Sequence, residues 1–147
     1  MVVLWAGSLW TVGYLVAPTL FLTLPDSVLA GTIAGRMFRV EAWLSLLTAL
    51  LLVSLYRVRG IEAGRSRRAR DLILAMVCCT VFGYFCLQPF MAALRSAAPG
   101  GVLSGSSRVQ FGVLHGLASA LYLVESVLGA FLVRNHFKLL DEPVAGK

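Results

Sequence analysis

A few ionisable side chains inside long apolar stretches are the best candidates for chemistry in this 147-residue sequence. Glu41 lies about one helical turn inside an apolar run that continues to Tyr56. His115 lies about one and a half turns inside the last apolar run. An ionisable group inside a membrane is costly, so its presence indicates a function such as binding a cation or exchanging a proton.

Each of these side chains also has a structural interpretation, and the sequence leaves both open. Glu41 either binds a cation or proton or forms a buried ion pair with Arg108. His115 either exchanges protons or ligates a metal, or it is only hydrogen-bonded to Tyr14, Tyr84 or Gln88. A proton relay from His115 to Glu125 would need a chain of water molecules, because Glu125 is expected on a different face of the helix.

Two arginines precede Glu41 at the mouth of its apolar run. Arg36 and Arg39 are expected on a side of the helix away from Glu41. Their long stems can reach lipid phosphates, or the pair can form a basic rim that raises the local concentration of an anionic solute. The sequence leaves both roles open.

The elements that position these residues follow from composition. Hydrophobic residues make up 59% of the chain and charged residues 14%, with a mean hydropathy of +0.83, which is far outside the range of a soluble domain. A span needs about 20 apolar residues, so the length allows four spans and short connections. We therefore predict an all-α, integral membrane four-helix bundle in one domain, residues 1–138. The predicted spans are residues 2–22, 40–56, 72–94 and 109–133.

The second apolar run is too long for a single upright span. We predict an interfacial segment at residues 27–39, with Asp26 or Ser27 as the N-cap, before the span at 40–56. Small residues that would let helices pack closely recur at helical spacing here and in the last span. These packing residues are Gly31, Gly35, Ala42 and Gly129.

A basic loop is predicted at residues 57–70. It carries six of the thirteen basic residues, namely Arg57, Arg59, Arg65, Arg67, Arg68 and Arg70. By the positive-inside rule this loop is cytoplasmic, as are both termini and the polar tail at residues 139–147. Its position beside a membrane favours anionic lipid headgroups as partners and not nucleic acid. We predict a multi-pass protein of a plasma membrane, with residues 1–24 retained because they lack the basic start of a signal peptide.

The motifs of the common enzyme and cofactor classes do not occur in the sequence. It has no phosphate-binding glycine loop, nucleophile elbow or HExxH motif, so an enzyme is disfavoured. The three cysteines, Cys78, Cys79 and Cys86, lie in one apolar run without CxxC spacing and are read as small hydrophobic residues. No metal and no cofactor is predicted, because His115 lacks partner ligands and no haem attachment motif occurs.

A short internal similarity relates the first and third spans. Thr11-Val12-Gly13-Tyr14 followed by Pro18 is matched by Thr80-Val81, Gly83-Tyr84 and then Pro89, with a gap of one residue. Two parallel hairpins with prolines near a shared site are one explanation, and chance is the other. The prolines are expected to kink their helices at a similar depth.

Three stretches of the chain resemble a known family. WAGSLWTVGYLVAPTLF, LAGTIAGRMF and FGVLHGLASALYLV are similar to signature stretches of bacterial transmembrane protein 205-like proteins. The resemblance implies a small four-helix protein of the bacterial inner membrane and implies no particular activity. Members often carry an asparagine seven positions after the histidine of the LHG motif, where this sequence has Tyr122.

Two functions of different class are compatible with these features. The first is binding or transport of a small solute or ion through a polar pocket in the outer half of the bundle. The residues predicted to line it are Tyr14, Glu41, Tyr84, Gln88, Arg108 and His115. The alternative is a non-catalytic scaffold or accessory subunit that binds partner helices, as a homo-oligomer or with another membrane protein, together with anionic lipid.

Overall fold

Four long helices packed side by side form the protein. A computed structural model describes residues 1–58 and 63–140, with side chains for 1–58 and 67–138, and throughout those residues the regular structure is helical. The stretches Val2–Thr23, Ser27–Val58, Arg67–Ala97 and Gly105–Lys138 are long and apolar enough to cross a membrane. The all-α class and the four-helix bundle are therefore confirmed, and the cytoplasmic location of both termini stays a prediction.

The first and third helices share an irregularity. The first helix consists of Val2–Trp10, a π-helical stretch Thr11–Val16 and Ala17–Thr23. The third consists of Ala63–Thr80, a π-helical stretch Val81–Leu87 and Gln88–Ala97. After each π-helical stretch, a proline is the second residue of the next segment, in its first turn, where a missing N–H is tolerated.

The second helix, Ser27–Val58, runs 32 residues without a break. Asp26 Oδ1 accepts a hydrogen bond of 2.8 Å from the Val28 amide, which confirms Asp26 as its N-cap. At 1.5 Å per residue the helix is about 48 Å long, which is more than a bilayer core requires. Since the helix continues through Gly35, its division into an interfacial segment and a span stays a prediction.

Helical structure extends further than expected around the basic segment and the fourth helix. Residues 63–70, expected in a loop, form the first turns of the third helix; residues 59–62 lie outside the described part of the chain. Arginine is a good helix former, and Gly64 lies in the first turn, where a glycine costs little. The fourth helix, Gly105–Leu140, begins before the predicted span at 109–133 and continues past its end. The tail at 141–147 is outside the described residues.

One half of the bundle has a tightly packed core. This half, called the closed end below, is centred on Trp5, Ile73, Met76 and Leu132, each at most 1% exposed. Those residues come from the start of the first and third helices and from the later part of the fourth. The opposite half, called the cavity end, contains the connections at 24–26 and 98–104. The first and second helices are called the first hairpin, and the third and fourth the second hairpin.

Candidate functional site

The cavity end holds a cavity of about 550 Å³ that all four helices line. It reaches from Ser45 and Thr80, near the middle of their helices, to Phe21 and Arg95 near the far ends. The polar and ionisable residues along its wall are Tyr14, Glu41, Ser45, Cys79, Thr80, Tyr84, Gln88, Arg95, His115, Ser119, Tyr122 and Glu125. A cavity of this size with convergent polar groups has the dimensions of a small-molecule site.

The first hairpin contributes a buried carboxyl group to the deep end of the cavity. Glu41 is 5% exposed, and its Oε1 atom accepts a hydrogen bond of 3.0 Å from the Ser8 hydroxyl. The same hydroxyl is closer to the Trp5 carbonyl, at 2.8 Å, so its single hydrogen serves two acceptors. The Trp5 indole donates a hydrogen bond of 2.8 Å to Ser45 Oγ and so fixes the first helix to the second.

The second hairpin contributes a second buried carboxyl group. Glu125 is 4% exposed, and its Oε1 atom accepts a hydrogen bond of 2.7 Å from the buried Thr80 hydroxyl. Here the carboxylate is the nearer acceptor, because the Met76 carbonyl lies 3.1 Å from the same hydroxyl. Within the described residues, the hydrogen bonds reach only Oε1 of Glu41 and of Glu125, so the second oxygen of each remains available to a ligand.

Tyr122 lines the cavity together with the two carboxyl groups and ties the fourth helix to the first. Its hydroxyl donates a hydrogen bond of 2.6 Å to the carbonyl of Leu9, two residues before the π-helical stretch. The amide that would usually bond to this carbonyl belongs to Gly13, inside the stretch where i to i−4 bonding is replaced, so a side-chain donor can serve the carbonyl. The Tyr122 ring lies against Gly13, where an added Cβ would overlap it. Only a glycine leaves room for this contact.

Aromatic rings form much of the wall around Tyr122. The Phe38 and Tyr14 rings meet the Tyr122 ring edge to face, with centroid distances of 5.4 and 6.2 Å. Tyr84 also lines the cavity, and its hydroxyl accepts a 2.8 Å hydrogen bond from Arg39 Nε. Ring faces directed at a cavity favour a cation over an anion, because the face of the ring carries negative potential.

The far end of the cavity carries the only arginine among its lining residues in the described structure. The Arg95 guanidinium lies 4.6 Å from the centroid of the Phe111 ring, and its Nη1 donates 3.4 Å to the Gly31 carbonyl. The His115 ring stacks on Phe111 at 5.9 Å and 9°. An added Cβ on Gly31 would come 3.0 Å from Arg95, so the glycine provides the space for the guanidinium.

The chain matches a protein family over residues 1–99. The family is described as a domain of unknown function, DUF4149. The chain belongs to this family. No curated protein and no solved structure matches the chain. The matched residues cover the first three helices and leave out the fourth, which carries His115, Tyr122 and Glu125. The narrower resemblance to bacterial transmembrane protein 205-like proteins stays a prediction.

Most residues predicted for the polar pocket line the cavity of this DUF4149 protein. They are Tyr14, Glu41, Tyr84, Gln88 and His115. Arg108 is the exception and is corrected here: its side chain is exposed and is not among the lining residues. Arg108 lies near the start of the fourth helix with its side chain exposed, and Arg95 of the third helix provides the cavity's cationic group. In the described structure Glu41 pairs with Ser8, and the ion pair considered with Arg108 is not formed.

The other predicted residues are arginines of the two ends and small residues at helix contacts, and three of the small residues, Gly31, Gly35 and Ala42, also line the cavity. Arg36 and Arg39 are exposed, and of the two Arg39 bonds to Tyr84. Gly31, Ala42 and Gly129 are buried, and Gly35 faces Gln88, so these packing residues serve contacts within the chain. In the basic segment, Arg57 lies in the last turn of the second helix, and Arg67, Arg68 and Arg70 belong to the third helix. The Arg59 and Arg65 side chains lie outside the described residues.

Sequence reasoning undervalued three residues of the site. The helical spacing predicts Glu125 on a different face from His115, and no pattern in the sequence predicts that Arg95 or Thr80 lines a cavity. A signal for Glu125 does exist in the sequence. An aromatic residue three positions before a glutamate occurs twice, as Phe38 with Glu41 and as Tyr122 with Glu125, and the two pairs are offset by 84 residues (122 − 38 and 125 − 41). Among the described residues no three His, Cys, Asp or Glu side chains group closely enough to hold a metal ion.

Proposed function

We propose that this protein binds a small organic cation in the cavity and carries it in the membrane, with Glu41 and Glu125 as the recognising acids. The observation that supports this most is the pair of buried carboxyl groups, one from each hairpin, on the wall of one cavity. Burying an acid inside a membrane bundle is costly, so each acid needs a compensating role. One hydroxyl bond for each carboxyl group leaves room for a ligand to supply the rest.

The distribution of charge supports a cation over an anion. The described lining includes two acids and one arginine, and that arginine is already engaged by Phe111 and the Gly31 carbonyl at the far end. The aromatic side chains Tyr14, Phe38 and Tyr122 lie between the two ends. Aromatic rings and carboxylates together recognise ammonium groups that carry apolar substituents.

The membrane and the topology are part of the proposal. The arginine-rich segment at 57–70 supports a cytoplasmic closed end, with both termini in the cytoplasm and the cavity end outward. The family resemblance supports the bacterial inner membrane. In this orientation a solute would enter from the outside, and the packed closed end would separate the cavity from the cytoplasm.

The test measures binding to the purified full-length protein in detergent by calorimetry. Benzyltrimethylammonium serves as the cationic probe and benzoate as an anion of similar size. We expect the cation to bind and the anion not to. Glu41→Gln is expected to weaken cation binding by about tenfold or more, because the amide keeps the shape and loses the charge.

The matched control is Asp26→Asn, which removes an acid outside the cavity and keeps a good N-cap. Its affinity for the cation should stay within about twofold of the unmodified protein. Binding of benzoate as strong as that of the cation, or equal losses in Glu41→Gln and Asp26→Asn, would contradict the proposal.

A second candidate, a scaffold or accessory subunit, is supported by a different surface. Gly112, Gly116 and Ala120 form an exposed line on the fourth helix, and an added Cβ on either glycine would meet no atom within 4 Å. Small residues four apart allow another transmembrane helix to approach closely. If this is the function, Gly116→Leu should disrupt assembly in chemical cross-linking and leave cation binding unchanged, whereas exposed Leu117→Ala should alter neither.

A further inference from the structure

A second cavity, of about 530 Å³, lies at the closed end between the third and fourth helices. Three cationic side chains line it: Arg68 from the third helix, and Arg134 and Lys138 from the fourth. Asp71 is the one acid along the described wall, so the lining carries a net charge of +2 (3 − 1). A concave site with this charge favours an anion.

One side chain in this cavity lacks a partner that an anion would supply. The Asn135 side-chain nitrogen, Nδ2, is buried and has no hydrogen-bond acceptor within the described part of the chain. A buried polar group without a partner is rare, because it has lost water and gained nothing in exchange. An acceptor oxygen bound in the cavity would satisfy it. Phosphate oxygens also suit the arginines, whose guanidinium groups can donate two parallel hydrogen bonds.

The remaining wall is apolar. Leu72 and Phe131 complete the lining, and the Phe131 ring is half exposed on the outer surface of a helix that is apolar enough to span a membrane. A free phosphate would gain nothing from these two side chains. A molecule with both a phosphate and an attached apolar chain would contact the charged and apolar parts of the wall together.

We propose that this cavity is a binding site for the phosphate headgroup of an anionic phospholipid. Arg68, Arg134 and Lys138 hold the phosphate, Asn135 donates to one of its oxygens, and the glycerol and upper acyl chain lie on Phe131. Basic pockets between spans at the membrane surface are suited to such headgroups. The site is defined by two helices and includes only one residue of the arginine-rich segment, so it is more specific than attraction of that segment to the membrane. It is independent of cation binding in the first cavity.

The experiment titrates the delipidated full-length protein with single lipids and counts bound molecules by native mass spectrometry. Dioleoylphosphatidylglycerol is compared with dioleoylphosphatidylcholine, which has the same chains and no net charge. We expect one tight site for the anionic lipid. The double variant R134Q/K138Q should lower the affinity for the anionic lipid by about tenfold or more, because each cation near the membrane surface contributes to binding.

The matched control is R57Q/R67Q. It removes the same charge from the same end of the bundle, at residues that do not line the cavity. Its affinity for the anionic lipid should stay within about threefold of the original, since it alters only the general field. An equal loss in the two double variants, or equal binding of the two lipids, would show diffuse attraction and overturn the proposal.

Two further measurements separate the remaining outcomes. Inorganic phosphate should fail to displace the lipid; full displacement by phosphate would identify a soluble ligand and overturn the lipid assignment. Asn135→Leu keeps every charge and removes the unpaired donor. Without lipid this variant should be at least as stable to heat as the original, and it should lose several-fold in lipid affinity, whereas unchanged affinity would contradict the role given to Asn135.

Discussion

The two hairpins of the bundle place equivalent groups in the cavity, but they hold those groups differently. Each has a π-helical stretch before a proline in its leading helix, and a buried glutamate in its second helix. In the second hairpin the Thr80 hydroxyl lies 2.7 Å from Glu125 and farther from the competing backbone carbonyl. In the first hairpin the Ser8 hydroxyl is nearer to the backbone carbonyl than to Glu41.

This difference in hydrogen bonding makes Glu125 the acid with a fixed orientation and Glu41 the acid that is available to a ligand. Glu125 has the shorter hydrogen bond from a buried donor, so its orientation is more firmly determined. Glu41 shares its donor and is better able to exchange that bond for a ligand. Within the proposed cation site, Glu125 therefore orients and Glu41 binds and releases.

The π-helical stretches differ as well. The first is fixed by Tyr122, which crosses from the second hairpin to the Leu9 carbonyl and lies against Gly13. The residue of the first hairpin that corresponds to Tyr122 is Phe38, which has no hydroxyl to offer the third helix. The Gly83 position of the second stretch has open space around it. The first stretch is therefore held by the half-buried Tyr122 contact, and the second by the exposed contact between Arg39 and Tyr84.

The largest expected effect contrasts the two glycines of these stretches. Gly13→Ala should destabilise the protein by about 3 kcal/mol, because the added methyl group overlaps the Tyr122 ring and forces it to move. Gly83→Ala should be neutral or stabilising by up to about 1 kcal/mol, since alanine is the better helix former and nothing is in the way. Reversible unfolding in mixed micelles measures both. Equal effects would show that the two stretches are held alike.

Removing the hydroxyl partners of the two acids should give a smaller contrast. Thr80→Val removes the hydroxyl that donates to Glu125. It is expected to lower the free energy of unfolding by about 2 kcal/mol, because a buried acid loses its described partner. Ser8→Ala should cost about 1 kcal/mol, since the hydroxyl is half-buried and shared. The same unfolding measurement compares the two variants. A larger loss of stability in Ser8→Ala than in Thr80→Val would reverse the assignment of the fixed and available acids.

Loss of the Tyr122 hydroxyl isolates one hydrogen bond. Tyr122→Phe keeps the ring against Gly13 and leaves the Leu9 carbonyl without this donor, at an expected cost of about 1 kcal/mol. Tyr14→Phe is the control, because the Tyr14 ring also contacts Tyr122 but is half exposed. Hydrogen exchange of the first helix should quicken in Tyr122→Phe alone, and no change there would contradict the role of Tyr122 in fixing the π-helical stretch.

The smallest effect concerns the contact between the hairpins at the surface. Arg39 of the first hairpin donates to the Tyr84 hydroxyl of the second. A double-mutant cycle of Arg39→Gln with Tyr84→Phe should give a coupling free energy of about 0.5 kcal/mol, as expected for an exposed hydrogen bond. The same cycle with Arg36→Gln in place of Arg39→Gln should give no measurable coupling free energy. A coupling as large for Arg36 as for Arg39 would mean that the contact is only a general effect of charge.

The number and approximate extent of the helices are predictable from the sequence alone. Apolar length and turn residues such as Pro25 and Pro99 act locally, so the four helices and their connections follow from short stretches. The matching Thr11 and Thr80 segments with their prolines also mark the two irregular helices. The predicted loop is wrong at residues 63–70, because the arginines favour a helix and Gly64 lies in its first turn, where a glycine costs little.

The partners of the ionisable groups were decided only by the tertiary structure. Glu41 and His115 stand out in the sequence by being charged or polar in apolar runs, but the sequence gives no reason to pair Glu41 with Ser8 in place of Arg108. Which side chains meet depends on the rotation and register of each helix, and a π-helical stretch shifts both for every residue beyond it. Glu125 and Arg95 therefore line the cavity because of how the four helices are packed against one another, which no local pattern encodes.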